Sequence, residues 1–323
     1  MTVAVATTPA PRLSVVINNY NYGGFLAQAI DSVLAERHPG AEVVVVDDGS
    51  TDDSRAVLAR YAGRITTVLQ ANQGQAAAIN AGVRAARGEI LLFLDADDWV
   101  LPGRLAAVEA AFAANPRAVL AYHRLQPTRS DGTPVMKTIP RTLGAGNLVP
   151  RMVRSAGWWD FPLTSALAVR RAAWDAAGPI PPEFRISADA WIVGILPFLG
   201  RVVAIPAALG AYRIHQNAWF RATDDAPTLR KRMAHWKATV EITNRWLVAR
   251  GRPERLSLDD HHPYHVAAAR LAGVDLGERL LLLGQGLAFG GEANLVRRAR
   301  RALATCRSLP SRGAAAALTE RPE

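Results

Sequence analysis

Three carboxylates, Asp95, Asp97 and Asp98, stand within four positions at the end of the apolar run Ile90-Leu91-Leu92-Phe93-Leu94. Carboxylates this close repel one another and resist burial unless a cation or the donors of a ligand compensate them. A hard divalent ion with oxygen ligands suits such a group best. The competing reading of Asp98, ahead of Trp99-Val100-Leu101-Pro102, is a helix cap. A second acidic cluster, Asp47-Asp48-Gly49-Ser50-Thr51-Asp52, follows Val43-Val44-Val45-Val46, and there a carboxylate could equally order the turn.

Ile90 to Leu94 is too short for a helix and has no polar alternation, which predicts a strand buried on both faces. Leu13 to Asn18, Val43 to Val46 and Ile65 to Leu69 read as strands too. Between them lie helical patterns over Phe25 to Ala35 and Asp53 to Tyr61 and, after Asn72-Gln73-Gly74-Gln75, an alanine-rich one to Ala86. This alternation predicts an α/β fold with right-handed crossovers and a mainly parallel sheet. Ligands of such sheets bind beyond the carboxyl ends of the strands. Asn19, Tyr20, Asp47, Asp48, Asn72, Asp95 and Asp97 are therefore expected to gather in one crevice.

A chain of 323 residues can hold one large domain with an appendage, or two domains. Its single cysteine, Cys306, rules out an intramolecular disulfide and a cysteine-rich zinc site and fits a reducing compartment. The formal charge of +10 favours anionic partners, but no nucleic-acid module and no basic patch interleaved with aromatics is present, so nucleic acid is not expected. No run has transmembrane length; Leu280 to Leu283 is cut short by the glycines that follow. The first βα turn lacks G-x-G-x-x-G and the chain lacks G-x-x-x-x-G-K-[ST], which argues against a dinucleotide oxidoreductase and a P-loop enzyme. An aspartyl phosphatase is disfavoured by Trp99, where a small residue is usual.

With Val15-Val16-Ile17-Asn18-Asn19-Tyr20-Asn21, Val46-Asp47-Asp48-Gly49-Ser50-Thr51-Asp52, Asn72-Gln73-Gly74 and Leu94-Asp95-Ala96-Asp97-Asp98 in this order, the chain resembles family 2 glycosyltransferases of the GT-A fold. The resemblance runs over about residues 12–215. It implies an inverting, metal-dependent, hexosyltransferase-type enzyme of glycan, cell-envelope or glycoconjugate biosynthesis. Such an enzyme moves a sugar from a nucleotide-diphosphate donor, UDP or dTDP favoured, to an acceptor hydroxyl with Mg²⁺ or Mn²⁺. The catalytic domain is expected at 12–225, with its nucleotide-binding half at 12–100 and acceptor half at 101–225, while the residues themselves read as a disordered tail at 1–11 and a helical region at 226–323. Asn19, Tyr20 and Asn21 would line the nucleotide pocket, Asp48 would accept from the base imide, and Asn72 would lie on the donor side. Asp95 would approach the ribose or donor sugar and Asp97 would hold the metal. Asn18 stands where the family often has proline, and Ile79-Asn80 where it often has an arginine.

In the acceptor half the resemblance makes Asp189, in Ser187-Ala188-Asp189-Ala190-Trp191, the catalytic base. Ala188 replaces the usual glutamate, and the local alternative for Asp189 is a charge favouring a helix N-terminus. Asp160 is the second candidate base; Trp158 and Trp159 form either a sugar-stacking platform or core. In Tyr212-Arg213-Ile214-His215-Gln216-Asn217, His215 would be a further metal ligand and Arg213 a phosphate contact.

Beyond Pro227 the pattern is helical: Leu229, Met233, Trp236, Val240, Thr243 and Leu247 recur at three-to-four spacing. Asp259, Asp260, His261, His262 and His265 read as a helix cap with surface histidines rather than a metal site, because Pro263 breaks the spacing. Asn294 to Leu303 is a basic amphipathic helix, either a solvated face or a docking element for an anionic membrane near a lipid-linked acceptor. The expected location is cytoplasmic, peripheral at the inner face of the membrane in the second case. Pro310 to Glu323 reads as loose. Two other functions are weighed. A nucleotidyltransferase would show a glycine-rich loop where Asn18 to Asn21 stand, and a non-catalytic nucleotide-sugar or glycan-binding protein would accommodate Ala188.

Overall fold

The structure, a computed structural model, describes residues 12–160, 162–185, 187–215, 225–292 and 294–312. The tail expected over residues 1–11, Gln216, Asn217 and most of the segment after Pro310 lie outside them. Strand and helix alternate at first: β1 Leu13–Asn19, α1 Gly23–Ala35, β2 Ala41–Asp47, α2 Ser54–Ala59, β3 Thr66–Leu69, α3 Gln75–Ala85 and β4 Ile90–Asp95. Then come β5 Trp99–Val100, α4 Arg104–Ala114, β6 Ala118–Thr128, α5 Val149–Val153, β7 Leu167–Arg170, α6 Arg171–Ala177, α7 Ala188–Ile195 and β8 Arg201–Arg213. Helices α8 Ala226–Ala249, α9 His262–Ala272, α10 Leu276–Ala288 and α11 Leu295–Ser308 follow. None of these is long and apolar enough to cross a membrane.

The strands form one sheet in the order β3-β2-β1-β4-β7-β6-β8-β5. The first four run parallel, as the crossover reading expects. At β7 the direction reverses, because that strand pairs antiparallel with both β4 and β6; β6 and β8 then run parallel.

The apolar runs explain why β1, β2 and β4 are central. Val15, Val16, Ile17, Val44 to Val46 and Leu91 to Leu94 are fully buried, and burying one such side chain is worth roughly 1.5–3 kcal/mol. Alternate residues face alternate sides: Val15, Ile17, Val45, Leu92 and Leu94 pack with Leu26 and Ile30 of α1 and Leu105 and Val108 of α4. Val46 packs on the other side with Ala78 and Ala81 of α3. Gly82 lets α3 lie that close, since a Cβ there would come within 2.3 Å of Val16 Cγ1.

Two compact units result. The first takes Met1–Ile139, Pro162–Ile192 and Leu199–Ile214; the second takes Pro140–Phe161, Val193–Phe198 and His215–Glu323. Within the second, Trp159 is core: it is fully buried and its Nε1 donates to the Val193 carbonyl at 3.2 Å. Trp158 is half-buried, its ring set edge-on to those of Trp236 and His261. The cap of α9 is His261 itself, buried, with Nδ1 accepting the Tyr264 N–H at 3.0 Å. Asp160 is half-buried among Glu292, Arg151, Arg297 and Arg301, and burial and Glu292 push its carboxyl up.

Candidate active site

The parallel register sets Asn18 opposite Asp95 and Asn19 opposite Asp47. Successive side chains of a strand point to opposite faces, so β1 serves both clusters of acids. Asn19 Nδ2 donates to Asp47 Oδ1 at 2.9 Å and to Ser50 Oγ at 3.1 Å. The Asn18 side chain donates to the Asp95 carboxylate, and its own buried Oδ1 has no hydrogen-bond partner among the described residues.

Around these strand ends the loops lock one another. Asn21 adopts the left-handed region at φ 57°, a conformation asparagine tolerates, and its N–H donates to Ser50 Oγ at 2.9 Å. Its Oδ1 accepts the Thr51 N–H at 2.8 Å. Tyr20 beside it is 46% exposed and open to a ligand. Asp48 is buried and accepts from Gln70 Nε2 at 2.7 Å, Gln73 N at 2.9 Å and Gly74 N at 2.7 Å, so it shapes the loop that starts α3. Asn72 Oδ1 accepts from the Arg185 guanidinium at 2.7 Å. Gly74, at φ 89°, must be glycine here: a Cβ would lie 2.8 Å from the Arg185 carbonyl oxygen, which accepts the Gln75 N–H at 2.9 Å.

Asp95, Asp97 and Asp98 each offer a carboxylate oxygen within 4.8 Å of the others. Burial first, then the Asp97 charge, pushes Asp95 up to about 7 and Asp98 well above the usual carboxylate range. Burial first, then the charges of the same three acids, pushes the Tyr22 hydroxyl up to about 12. Such mutual repulsion is relieved by a cation, and an all-oxygen donor set fits Mg²⁺ or Mn²⁺.

Asp98 is not a helix cap. The cap residue of α4 is Gly103, and Asp98 instead accepts from Ser165 Oγ at 2.6 Å and from the Arg213 N–H at 2.9 Å. Arg213 is buried, its guanidinium 4.3 Å from the Phe25 ring centre and 4.7 Å from that of Trp99. Its side chain donates to the Asp97 carbonyl at 2.6 Å, Gln28 Oε1 at 2.6 Å and the Ser130 carbonyl at 3.3 Å. Those bonds commit it to holding the acid loop. Arg104 is also buried, donating to the Phe93 carbonyl at 2.8 Å, and desolvation lowers it to about 10 against the favourable charge of Asp98.

Asp189 lies in the first turn of α7, buried, with Oδ1 accepting the Ala190 N–H at 2.9 Å. Desolvation raises its carboxyl to about 6, and its charge contributes to the upward shift of Asp95. Ala188 is fully buried, with its N–H on Gln75 Oε1 at 3.1 Å. Gln75 Nε2 in turn donates to Asp95 Oδ1 at 3.0 Å. His215 comes just past the end of the first unit and is half-buried. Gln75, Tyr22 and Ser165 are thus site residues that the motifs did not single out. In the sequence Gln75 stands only as the last residue of the polar stretch ahead of the alanine-rich helical pattern.

Residues 14–171 match the family profile Glycosyl transferase family 2. Uncharacterized glycosyltransferase alr2836 of Nostoc sp. (strain PCC 7120) is 35% identical over 260 residues, 78% of this chain and 81% of the relative. The chain belongs to glycosyltransferase family 2. Uncharacterized glycosyltransferase EpsJ of Bacillus subtilis is 38% identical over 93 residues, 28% of this chain and 27% of the relative. Among solved structures, S. aureus TarS 1–349 in complex with UDP-GlcNAc aligns with TM-score 0.54 at 17% identity, covering 92% of this chain and 91% of that one. The mannosyltransferase PcManGT from Pyrobaculum calidifontis, in complex with GDP-Man and Mn²⁺, aligns with TM-score 0.51 at 21% identity, covering 97% and 79%. These likenesses match the α/β GT-A fold that the motifs implied.

Proposed function

We propose that this glycosyltransferase moves a sugar, with inversion, from a UDP or dTDP donor to the hydroxyl of a saccharide or lipid-linked acceptor. The observation that carries the reading is geometric: Asp95, Asp97 and Asp98 converge within 4.8 Å, and Gln75 links Asp95 to the start of the helix that carries buried Asp189. Asp97 with Asp95 would hold Mg²⁺ or Mn²⁺. When bound, the cation supplies countercharge to the departing nucleoside diphosphate.

The chain's own groups do the rest. Asn19 and Asn21 hold the loop on which Tyr20 meets the base. Asp48 has three internal donors. A carboxylate has about four acceptor sites, so one direction remains for a base imide N–H. Asn72 and Arg185 border the donor side. Asp189 removes the acceptor hydroxyl proton as that oxygen attacks from the face opposite the leaving group. A carboxyl near 6 is ionised at neutral pH and is a stronger base than an exposed aspartate. Arg213 and Ser165 keep the acid loop in place.

The test is transfer from a panel of UDP- and dTDP-sugars with Mn²⁺, using wild type, Asp97→Ala and Asp189→Asn. Both variants should lose on the order of 100-fold or more in turnover while staying folded. Chelation should silence the wild type and added Mn²⁺ should restore it. Undiminished turnover in both variants, or a product that retains the donor's anomeric configuration, overturns the assignment.

A further inference from the structure

The outward face of α10 is apolar along its length. Leu276, Leu280, Leu281 and Leu287 are 71%, 57%, 62% and 46% exposed. Gly277, Gly284 and Ala288 are exposed as well, and at about 100° per residue all seven fall on one side of the helix with no charge among them. The opposite side holds the helix in place: Leu282 and Gly286 are buried, and the Arg279 guanidinium donates to the Cys306 and Leu309 carbonyls. A contiguous exposed patch of this kind marks an interaction surface, whereas scattered single leucines would not.

Helix α11 packs beside α10, and its arginines divide into two sets. Arg297 and Arg301 pair with buried Glu292 at 3.9 and 3.3 Å, and Arg298 donates to the Glu292 carbonyl. Arg300 and Arg307 point the other way, on the side that also exposes Val296 at 63% and Leu303 at 45%. The inward set shows that the basic character of α11 is partly structural. The outward set borders the apolar surface with positive charge.

We propose that the exposed face of α10, with Val296, Leu303, Arg300 and Arg307 of α11, docks on an anionic lipid surface. The charge decides the occupant. From Asp275 to Arg312 there are seven arginines, one aspartate and two glutamates, and all three acids are engaged: Asp275 and Glu278 with Arg312 and with each other's backbone N–H, and Glu292 with Arg297 and Arg301. A second copy would bring like charges to this face with no acid to receive them. Lipid phosphates receive Arg300 and Arg307, while the leucines enter the boundary between headgroups and acyl chains. The inference stands apart from the glycosyl-transfer reading and does not depend on it.

Flotation of the full chain with vesicles tests it. Wild type should float with mixed phosphatidylglycerol–phosphatidylcholine vesicles and bind phosphatidylcholine alone roughly tenfold less. Leu280→Gln with Leu281→Gln should lower partitioning about tenfold. Arg300→Gln with Arg307→Gln should abolish the preference for the anionic vesicles and its salt sensitivity. These side chains are exposed, so melting temperatures should not move. Failure of wild type to float, or unchanged flotation of the leucine variant, overturns the proposal. So does a light-scattering dimer that the leucine substitutions dissolve, which would make the face an interface between copies.

Discussion

The Gln75 carboxamide joins Asp95 to the backbone that begins the Asp189 helix: Nε2 donates to Asp95 Oδ1 at 3.0 Å and Oε1 accepts the Ala188 N–H at 3.1 Å. One side chain thereby sets the separation of the donor-side acid and the candidate base. Hydrogen bonds to charged groups are worth about 1.5–3 kcal/mol, so Gln75→Leu should lower kcat/KM by roughly 10–100-fold. Gln75→Glu keeps the acceptor for Ala188 but cannot donate to Asp95 when ionised, and it adds a repelling charge. It should be the more damaged variant in steady-state transfer assays; equal activity of Gln75→Glu and wild type would remove Gln75 from the site.

Asp189 gives the pH dependence. As the proposed base it must be ionised, so kcat/KM should fall about tenfold per unit below pH 6 and level off above it, and Asp189→Asn should flatten that limb. Stability moves oppositely. The folded value of about 6 exceeds the ordinary 3.8, so folding is favoured by the protonated form, and that contribution is lost as pH rises through 6. Near pH 8 the buried charge costs on the order of 3 kcal/mol, and Asp189→Asn should unfold at higher denaturant there than wild type. Denaturant titrations of both proteins at pH about 4 and about 8 check the sign.

The strand ends were legible because valine and leucine runs stop abruptly at acids, a pattern only a doubly buried strand explains. Val43 to Val46 and Ile90 to Leu94 are such runs, and both strands are central. What could not be read is set by contacts across long separations. The local motif of Arg213 does not show that Phe25 and Trp99, far apart in sequence, enclose its guanidinium. Asp98 looked like a cap until Ser165, 67 residues away, donated to it. Ala188 looked like a weakened motif; its full burial and its N–H on Gln75 depend on a residue 113 positions away. The antiparallel β7 also escaped prediction, since a four-residue strand has too little pattern to betray its direction.

Arg213 and Arg185 should separate cleanly. Arg213 is enclosed by two rings and bonded to three elements, so Arg213→Lys loses planar stacking and several donors at once. A loss of about 2–3 kcal/mol in stability is expected, with turnover falling in parallel. Arg185 is exposed and tied to Asn72 through one bond. It brings a cation to the Asn72 loop ahead of α3, the helix in which Ile79 stands where the family often has an arginine. Arg185→Ala should raise donor KM by about fivefold to tenfold with little change in melting temperature. Thermal melts alongside donor titrations tell the two apart; a large stability loss in Arg185→Ala would assign it to the scaffold.

Acid should weaken the second unit through buried His261 and half-buried His262. Burial first, then neighbouring histidines, lowers His261 and His262 to about 4 from an ordinary 6.5. A histidine held neutral by the fold contributes stability above 6.5 that is lost as pH falls toward 4, because the unfolded chain takes up the proton first. For His261, with Trp158, Trp236 and Tyr264 around its ring, the loss by pH about 5 is on the order of 2 kcal/mol. Asp189 and Asp95 act with the opposite sign over the same range, so the His261 contribution must be isolated by difference. Asn preserves an acceptor for the Tyr264 N–H at the start of α9 and does not titrate. His261→Asn should therefore be less stable than wild type at pH about 7.5 and approach it by pH about 5, as read from chemical denaturation. Parallel curves for the two proteins would show that His261 is not the titrating group.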